Sequence, residues 1–233
     1  FLIVQPPLDR SLFSNSMVLL LSASVVITIG NNLFFYRALD NDKLSELQVF
    51  DLLTSIPVIV FTSLIFSDER NFFVVIPALI ASTAVFWSHW ERHHFQIAKK
   101  TAPYLIWILI SSSVGAPIIK KLLTVWNPIS LELVRSGALA LIIGSMFEKR
   151  AKNIPPRGWA LLLLTNFLST IAYILLYFSY QTSGVVYSIL VFSLLPLLVY
   201  FTSIFLLKEP FHWKKGIAFA IVLISIAIVQ YIG

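Results

Sequence analysis

PVIVFTSLIFSDE, residues 57–69, returns later in the chain as PLLVYFTSIFLLKE, residues 196–209. The Phe-Thr-Ser tripeptide and the final acid are each displaced by 140 residues (201 − 61 and 209 − 69), and the proline by 139 (196 − 57). Both copies lie in hydrophobic runs that are long enough to cross a bilayer. The pattern therefore predicts a duplicated block of membrane helices.

The composition is that of a membrane protein. Hydrophobic residues make up 58% of the 233 residues and charged residues 12%, whereas soluble domains have about half and about a quarter. The absence of cysteine excludes disulfides, thiolate catalysis and cysteine metal sites. The net charge of +6 comes from basic residues in the loops, where they orient a chain in the bilayer. We therefore expect a lipid bilayer, and not a nucleic acid, as the surroundings.

Eight segments are long enough to cross the hydrocarbon layer as helices, because a lone span must satisfy its own backbone in lipid. Their limits are about 14–38, 44–66, 71–89, 103–123, 129–147, 158–180, 184–207 and 212–232. The sequence predicts an all-α integral membrane protein with short connections.

The duplication predicts how these segments are arranged. Segments two and three align with seven and eight, and segment one aligns with six. Segments four and five have no partner, so we expect two further helices before residue 1, which would make ten. We predict a first repeat over 1–89 that lacks its first two helices, a linker over 90–102 and a five-helix repeat over 103–233. An odd number of helices inverts the second repeat, as in many solute transporters.

Further motifs stand in the same order in both copies. The first copy has Tyr36-Arg37-Ala38-Leu39, Pro57 and Asp68-Glu69-Arg70. The second has Tyr177-Phe178-Ser179-Tyr180, Pro196, Lys208-Glu209-Pro210 and Gly216, and Arg135 follows Asn127-Pro128. In this order the chain resembles the EamA-like branch of the drug/metabolite transporter superfamily. It departs from the family pattern at Asp68 and Lys208, which replace a glycine, and at Pro77.

Two helices carry polar stripes in corresponding positions. Polar side chains in lipid are costly and normally face the bundle interior. The spacing of the two sets puts each on one helical face. We expect them either to line a central solute cavity or to link helices by hydrogen bonds. The first set is Ser24, Thr28, Asn31 and Phe35, and the second is Asn166, Ser169, Thr170, Tyr173 and Tyr177.

Two charged residues lie within predicted spans. Asp51 shares a face with Gln48, Thr54 and Ser55, and it is the candidate for proton coupling or for a counter-charge to a cationic solute. The alternative is a helix-end acid that reaches the membrane interface or pairs with Arg37 or Lys43. Arg135 is a candidate contact for an anionic or carboxylate group, or it forms a structural pair with Glu132 one turn earlier.

Small residues and prolines predict packing and bending. Gly137, Ala140 and Gly144 form a stripe that favours close helix packing. Pro57 and Pro196 are expected to bend their helices, either as hinges or as fixed kinks.

The polar residues near the loops are expected to have structural roles. His89, His93 and His94 are interpreted as a loop at the membrane surface and not as metal ligands. Glu69 and Glu209 are expected to cap the helix that follows each of them.

The orientation remains open. Four basic residues fall on one predicted side and twelve on the other, which places the second side in the cytoplasm and the C-terminus outside. The family resemblance instead implies that both ends lie inside. We expect integration in the cell membrane, either plasma or inner.

The sequence predicts a secondary transporter that moves a small metabolite or drug-like solute by alternating access, with proton coupling through Asp51 left open. No catalytic residue, metal or cofactor is expected, and a homodimer stays open. The alternatives are an intramembrane lipid-modifying enzyme and a receptor or scaffold that transports nothing.

Overall fold

The structure is a computed structural model that describes residues 14–41, 47, 51–90, 100–151, 155–207 and 212–232. In these residues the regular structure is helical, without a strand. The helices are α1 Asn15–Leu39, α2 Ser55–Ile65, α3 Phe72–His89, α4 Ala102–Leu122, α5 Pro128–Ala151, α6 Pro156–Ser183, α7 Val185–Phe192, α8 Leu195–Leu207 and α9 Trp213–Ile232.

Seven stretches of the described chain are long and apolar enough to cross a membrane. They are Asn15–Leu39, Phe72–His89, Ala102–Leu122, Pro128–Met146, Pro156–Ser183, Val185–Thr202 and Trp213–Ile232, and each corresponds to a predicted segment. The remaining predicted segment, 44–66, lies partly outside the described residues. Its described part contains the shorter apolar helix Asp51–Ile65.

The chain divides into two compact units. One unit comprises the chain up to Gly30 together with Ile118–Thr182, and the other comprises Asn31–Pro117 together with the chain from Ser183. The core of the first unit contains Leu122, Leu131 and Tyr177, with side chains of α1 packed against it.

The second unit has a larger core in which α2, α3, α7 and α9 pack together. Small side chains of α3 lie fully buried against α9, with Ala78 and Ala81 facing a row that includes Ala218 and Val222. Small residues let helix backbones approach closely, which favours packing in lipid. A second cluster in this unit joins Ala38, Leu47 and Tyr104.

The small-residue stripe of α5 does not form such a contact. Gly137, Ala140 and Gly144 are exposed, and a Cβ atom added at Gly137 or Gly144 would meet nothing within 4 Å. The expectation of close packing at this stripe is therefore wrong within the described part of the chain. The small residues that pack closely are those of α3 and α9.

Both repeated prolines follow an interruption of the helical hydrogen bonding, although the residues there, Thr54 (φ −62°, ψ −22°) and Ser193 (φ −63°, ψ −16°), keep right-handed helical backbone angles. The chain makes a turn at Thr54 before α2, and another at Ser193–Leu194 between α7 and α8. A proline lacks the N–H that the carbonyl four residues earlier needs, so the preceding turn is weakened. In each copy the residue three positions before the proline has a hydroxyl that donates to the carbonyl a further three positions back. These bonds are Thr54 Oγ1 to Asp51 O, 2.6 Å, and Ser193 Oγ to Leu190 O, 2.6 Å.

Candidate functional site

A buried ion pair lies on α5 in the first unit. Arg135 is 7% exposed and Glu132 is 3% exposed, and Arg135 Nε lies 3.5 Å from Glu132 Oε2. The two residues are one helical turn apart, which brings their side chains together. Ser136 Oγ donates to the other carboxylate oxygen at 2.7 Å. The pair therefore places a cation and an anion side by side among apolar helices.

Two tyrosines of α6 complete this cluster. The guanidinium carbon of Arg135 lies 5.2 Å from the ring centroid of Tyr173 and 5.4 Å from that of Tyr177. A cation within about 6 Å of an aromatic face is attracted by the electron density of the ring. Of the predicted solute-binding residues, the structure thus brings together Arg135, Tyr173 and Tyr177.

The same cluster keeps hydrogen-bonding capacity. Tyr177 Oη and the nearby Trp126 Nε1 are buried without a hydrogen-bond partner among the described residues, and Glu132 Oε2 and Arg135 Nε have the ion pair with each other but no hydrogen bond. Such groups are costly to bury unless something binds them. Trp126 packs in the same core as Tyr177. Sequence reasoning did not single it out, because it precedes α5 in a connection without any motif.

The rest of the α6 stripe lies elsewhere on the helix surface. Asn166 and Ser169 are exposed, and Thr170 is half-buried. The amide of Asn166 donates to Leu162 O of its own helix at 2.7 Å. The regular spacing predicted one face, but within the first unit only its C-terminal part, at Tyr173 and Tyr177, meets the ion pair.

The α1 stripe is divided between the two units. In the first unit, Ser24 donates to Leu21 O at 2.7 Å and Thr28 donates to Ser24 O at 2.8 Å. These hydroxyls satisfy themselves on their own helix, as is common for serine and threonine. The other two members of the stripe, Asn31 and Phe35, fall in the second unit.

Asn31 joins α1 to α4 in the second unit. Its side-chain oxygen accepts hydrogen bonds from Trp107 Nε1 at 2.7 Å and from Ser111 Oγ at 2.8 Å. Phe35 lies beside the ring of Tyr104, with centroids 6.0 Å apart. These contacts show that Asn31 links two helices in this unit.

Asp51 has a specific partner in the second unit. The hydroxyl of Tyr104 donates to Asp51 Oδ1 at 3.0 Å, and Tyr104 itself is 3% exposed. The carboxylate is half-buried one turn before the interruption at Thr54. Tyr104 was missed from the sequence because α4 has no counterpart in the visible repeat. Gln48 lies outside the described residues.

Glu69 caps a helix other than the predicted one. Its carboxylate accepts from the backbone N–H of Val185 at 2.6 Å and from that of Val186 at 3.1 Å, so it caps α7. The expectation that Glu69 caps the next helix is wrong, since α3 is capped by Asn71, which accepts from Phe73 N at 3.0 Å. A sequence offers no spacing from which a partner so far along the chain can be read. Glu209 lies outside the described residues.

The predicted histidine cluster is described only at His89. Its Nδ1 lies 2.9 Å from Val85 O and 3.0 Å from Ser88 Oγ. His93 and His94 are outside the described residues. Within the described ranges, no group of three or more His, Cys, Asp or Glu could hold a metal ion.

Taken together, several apolar spans with charged groups buried among them define a polytopic membrane protein. The sequence profile of the EamA-like transporter family matches residues 100–231. The match covers more than half of the chain, which therefore belongs to the EamA-like transporter family. This membership is consistent with the drug/metabolite transporter superfamily and supports a membrane transporter rather than an enzyme. A comparison with curated proteins gave no match.

Proposed function

We propose that this protein is a secondary active transporter that moves a small polar or drug-like solute by alternating access. The observation that carries the proposal is the buried cluster of Glu132, Arg135 and Tyr177. Charged and polar groups are expensive inside a membrane and mark solute pathways there. Family membership supports transport in general, and the burial of this cluster supports a solute site there.

The cluster suits a small solute with hydrogen-bonding groups. Arg135 offers a planar fork of donors, Glu132 offers an acceptor, and Tyr173 and Tyr177 offer aromatic surface. Since the ion pair is close to neutral as a whole, it favours a solute that both donates and accepts hydrogen bonds over one that carries only negative charge. Such a solute gives the buried polar atoms the partners that they lack in the described chain.

Two inverted repeats would supply the alternating movement. The similar interruptions before Pro57 and Pro196, each with a hydroxyl bonded three residues back, support equivalent segments in the two copies. We propose repeats over 1–89 and 103–233 joined by a linker over 90–102. The repeats would expose the solute site alternately to the two sides.

Proton coupling would use Asp51. A half-buried carboxylate in a helix has a costly charge, and the hydroxyl of Tyr104 is placed to stabilise that charge when it forms. Protonation removes the charge of Asp51, so the hydrogen bond from the hydroxyl of Tyr104 becomes weaker and the two side chains can separate more easily. We propose that this change at α4 links proton binding to solute movement in the plasma or inner membrane.

The test is solute flux into proteoliposomes made with the full-length protein and supplied with a mixed metabolite pool read by mass spectrometry. Enrichment of one compound class relative to protein-free vesicles is the expected result. Arg135→Lys keeps the charge but loses the planar fork, so it should lower flux of that class about tenfold or more, mainly through a raised KM.

The matched control for this variant is Arg157→Lys, at an exposed arginine near the start of α6. It should leave flux unchanged. Equal flux for Arg135→Lys and the parent would remove the proposed solute contact. Folded protein without enrichment of any class would contradict the transport function itself.

A further inference from the structure

The first turn of α7 lacks a capping side chain of its own. The residue before the helix is Gly184, at φ 84°, and it supplies no side-chain cap. The first N–H groups of a helix need partners. The carboxylate of Glu69, from the turn after α2, provides two of these partners. The stability of this helix end therefore depends on a residue from the other sequence copy.

Gly184 is required for this contact. A Cβ atom at this position would lie 2.8 Å from Glu69 Oε1, which is closer than real Cβ contacts, and its φ of 84° is one that favours glycine. Gly184 is the one residue between α6 and α7, and glycine has the widest backbone freedom of the amino acids. It is the second residue after the chain enters the second unit.

The turn that carries Glu69 is anchored to its neighbours. The guanidinium of Arg70 donates to the last carbonyls of α2, at Ser63 and Leu64. Asn71 caps α3. The turn that carries Glu69 is therefore held from both sides, by α2 and by α3, and the glycine at the start of α7 is the point of the contact with the widest backbone freedom.

A cleft of about 370 Å³ opens beside this contact. Glu69 and Ser183 line it together with Asp68, Asn71, Val74, Tyr187, Val229 and Gln230. Glu69 itself is 6% exposed and Val185 is 0% exposed. The carboxylate and the first turn of α7 thus form a closed boundary next to an open, polar space.

We propose that Glu69 is a releasable latch on the first turn of α7, whose release enlarges this cleft during transport. The inference rests on the alternating access proposed above. In the latched state the charged carboxylate holds two backbone N–H groups. In the released state α7 turns about Gly184, and the cleft supplies polar partners and water to both sides of the broken contact. Glu69 belongs to the first sequence copy and α7 to the segment that carries the second. Release of the latch would therefore change the structure of both.

Thiol labelling tests the latch, since the chain has no cysteine of its own. Val185→Cys places one thiol at a buried position under the carboxylate, where only the released state exposes it to a water-soluble maleimide. Glu69→Gln added to this variant replaces one acceptor oxygen by a donor that faces an N–H. Labelling of the full chain in proteoliposomes should then become about tenfold faster or more, which corresponds to ~1.4 kcal/mol in the opening equilibrium.

The control is Asp40→Asn in the same Val185→Cys background. It removes one negative charge from an exposed residue of the second unit that does not line the cleft, and it should leave the labelling rate unchanged. A second route to release is Gly184→Ala, which keeps Glu69 but pushes its carboxylate away. This variant should also label faster, and it decides the question if Glu69→Gln is not monodisperse after purification.

Equal labelling of the parent, the Glu69→Gln and the Gly184→Ala variants would overturn the latch and identify a fixed helix cap. Equal acceleration by Asp40→Asn would also overturn it, because the effect would then be one of charge alone. The labelling requires no solute, so it is read separately from flux. Faster labelling in a chain without any flux would count against the transport function and not against the latch.

Discussion

The two proline interruptions share a backbone arrangement but differ in the residue at their N-terminal side. Thr54 and Ser193 make the same hydroxyl bond three residues back, at 2.6 Å in both copies. The acceptor residue is Asp51 in the first copy and Leu190 in the second. Asp51 is half-buried and bonded to Tyr104, whereas Leu190 is fully buried in the core around α3 and α9.

This difference separates the role of the backbone from the role of the side chain. The interruption follows from the missing N–H of proline and is the same with a charged or an apolar residue. The side chain at this position decides whether the interruption carries an ionisable group or only packs. An aspartate in one copy and a leucine in the other is the asymmetry that a single coupling site would require.

The largest loss of stability is expected when Leu190 of the second copy is replaced by aspartate, the residue at the equivalent position of the first copy. Leu190→Asp puts a carboxylate into an apolar core at a position that is 0% exposed. An unpaired buried charge destabilises by about 3–5 kcal/mol. We expect little monodisperse protein and a strongly lowered Tm in detergent.

Leu190→Met is the control for volume at this position, and it should cost less than about 1.5 kcal/mol. A normal yield and Tm for Leu190→Asp would show that the second copy tolerates the charge. The contrast between the two interruptions would then have no energetic basis.

The second prediction concerns the charge of the first copy. Asp51→Asn keeps an oxygen that accepts from Tyr104 but cannot gain or lose a proton in the relevant range. Folding should therefore be intact, while the dependence of flux on pH should vanish. The measurement is flux of the enriched solute class across about pH 5.5–8.

Tyr104→Phe is the matched comparison for Asp51→Asn, because it removes the hydrogen bond and leaves the carboxylate. This variant should retain a pH-dependent flux with an altered profile. A pH profile of Asp51→Asn that matches the parent would exclude Asp51 as the coupling group.

The helices could be predicted from the sequence because their signal is local. Runs of about 20 apolar residues set each span within a few residues, as for α4 and α6. The interruption at Ser193–Leu194 was not predicted as a break in the helix. A proline predicts a disturbed turn, but whether the helix bends or stops depends on hydroxyl and packing partners that the proline does not specify.

The candidate site could be predicted only in part. Arg135, Tyr173 and Tyr177 were found from depth and spacing, which are local properties of α5 and α6. The partners Tyr104 of Asp51 and Val185 of Glu69 are 53 and 116 residues away. Contacts at such separations depend on how helices pack, and one sequence without its packing does not define them.

The smallest effect, and the most direct comparison of the two copies, concerns the hydroxyl bonds. Thr54→Val and Ser193→Ala each remove one side-chain hydrogen bond to a carbonyl three residues earlier, and since even bonds between helices in membrane proteins contribute only about 0.6 kcal/mol on average, each change should cost less than that. If the interruptions are equivalent, the two variants should lower Tm by similar small amounts. Their double variant should show the sum of the two changes in Tm, because the sites share no partner.

Thr202→Val is the control, since its hydroxyl bonds to Leu198 O at 2.8 Å in an uninterrupted part of α8. A lower Tm for only one of the two variants would show that only that interruption is stabilised by its hydroxyl. The proline would then be the one feature that the two interruptions share.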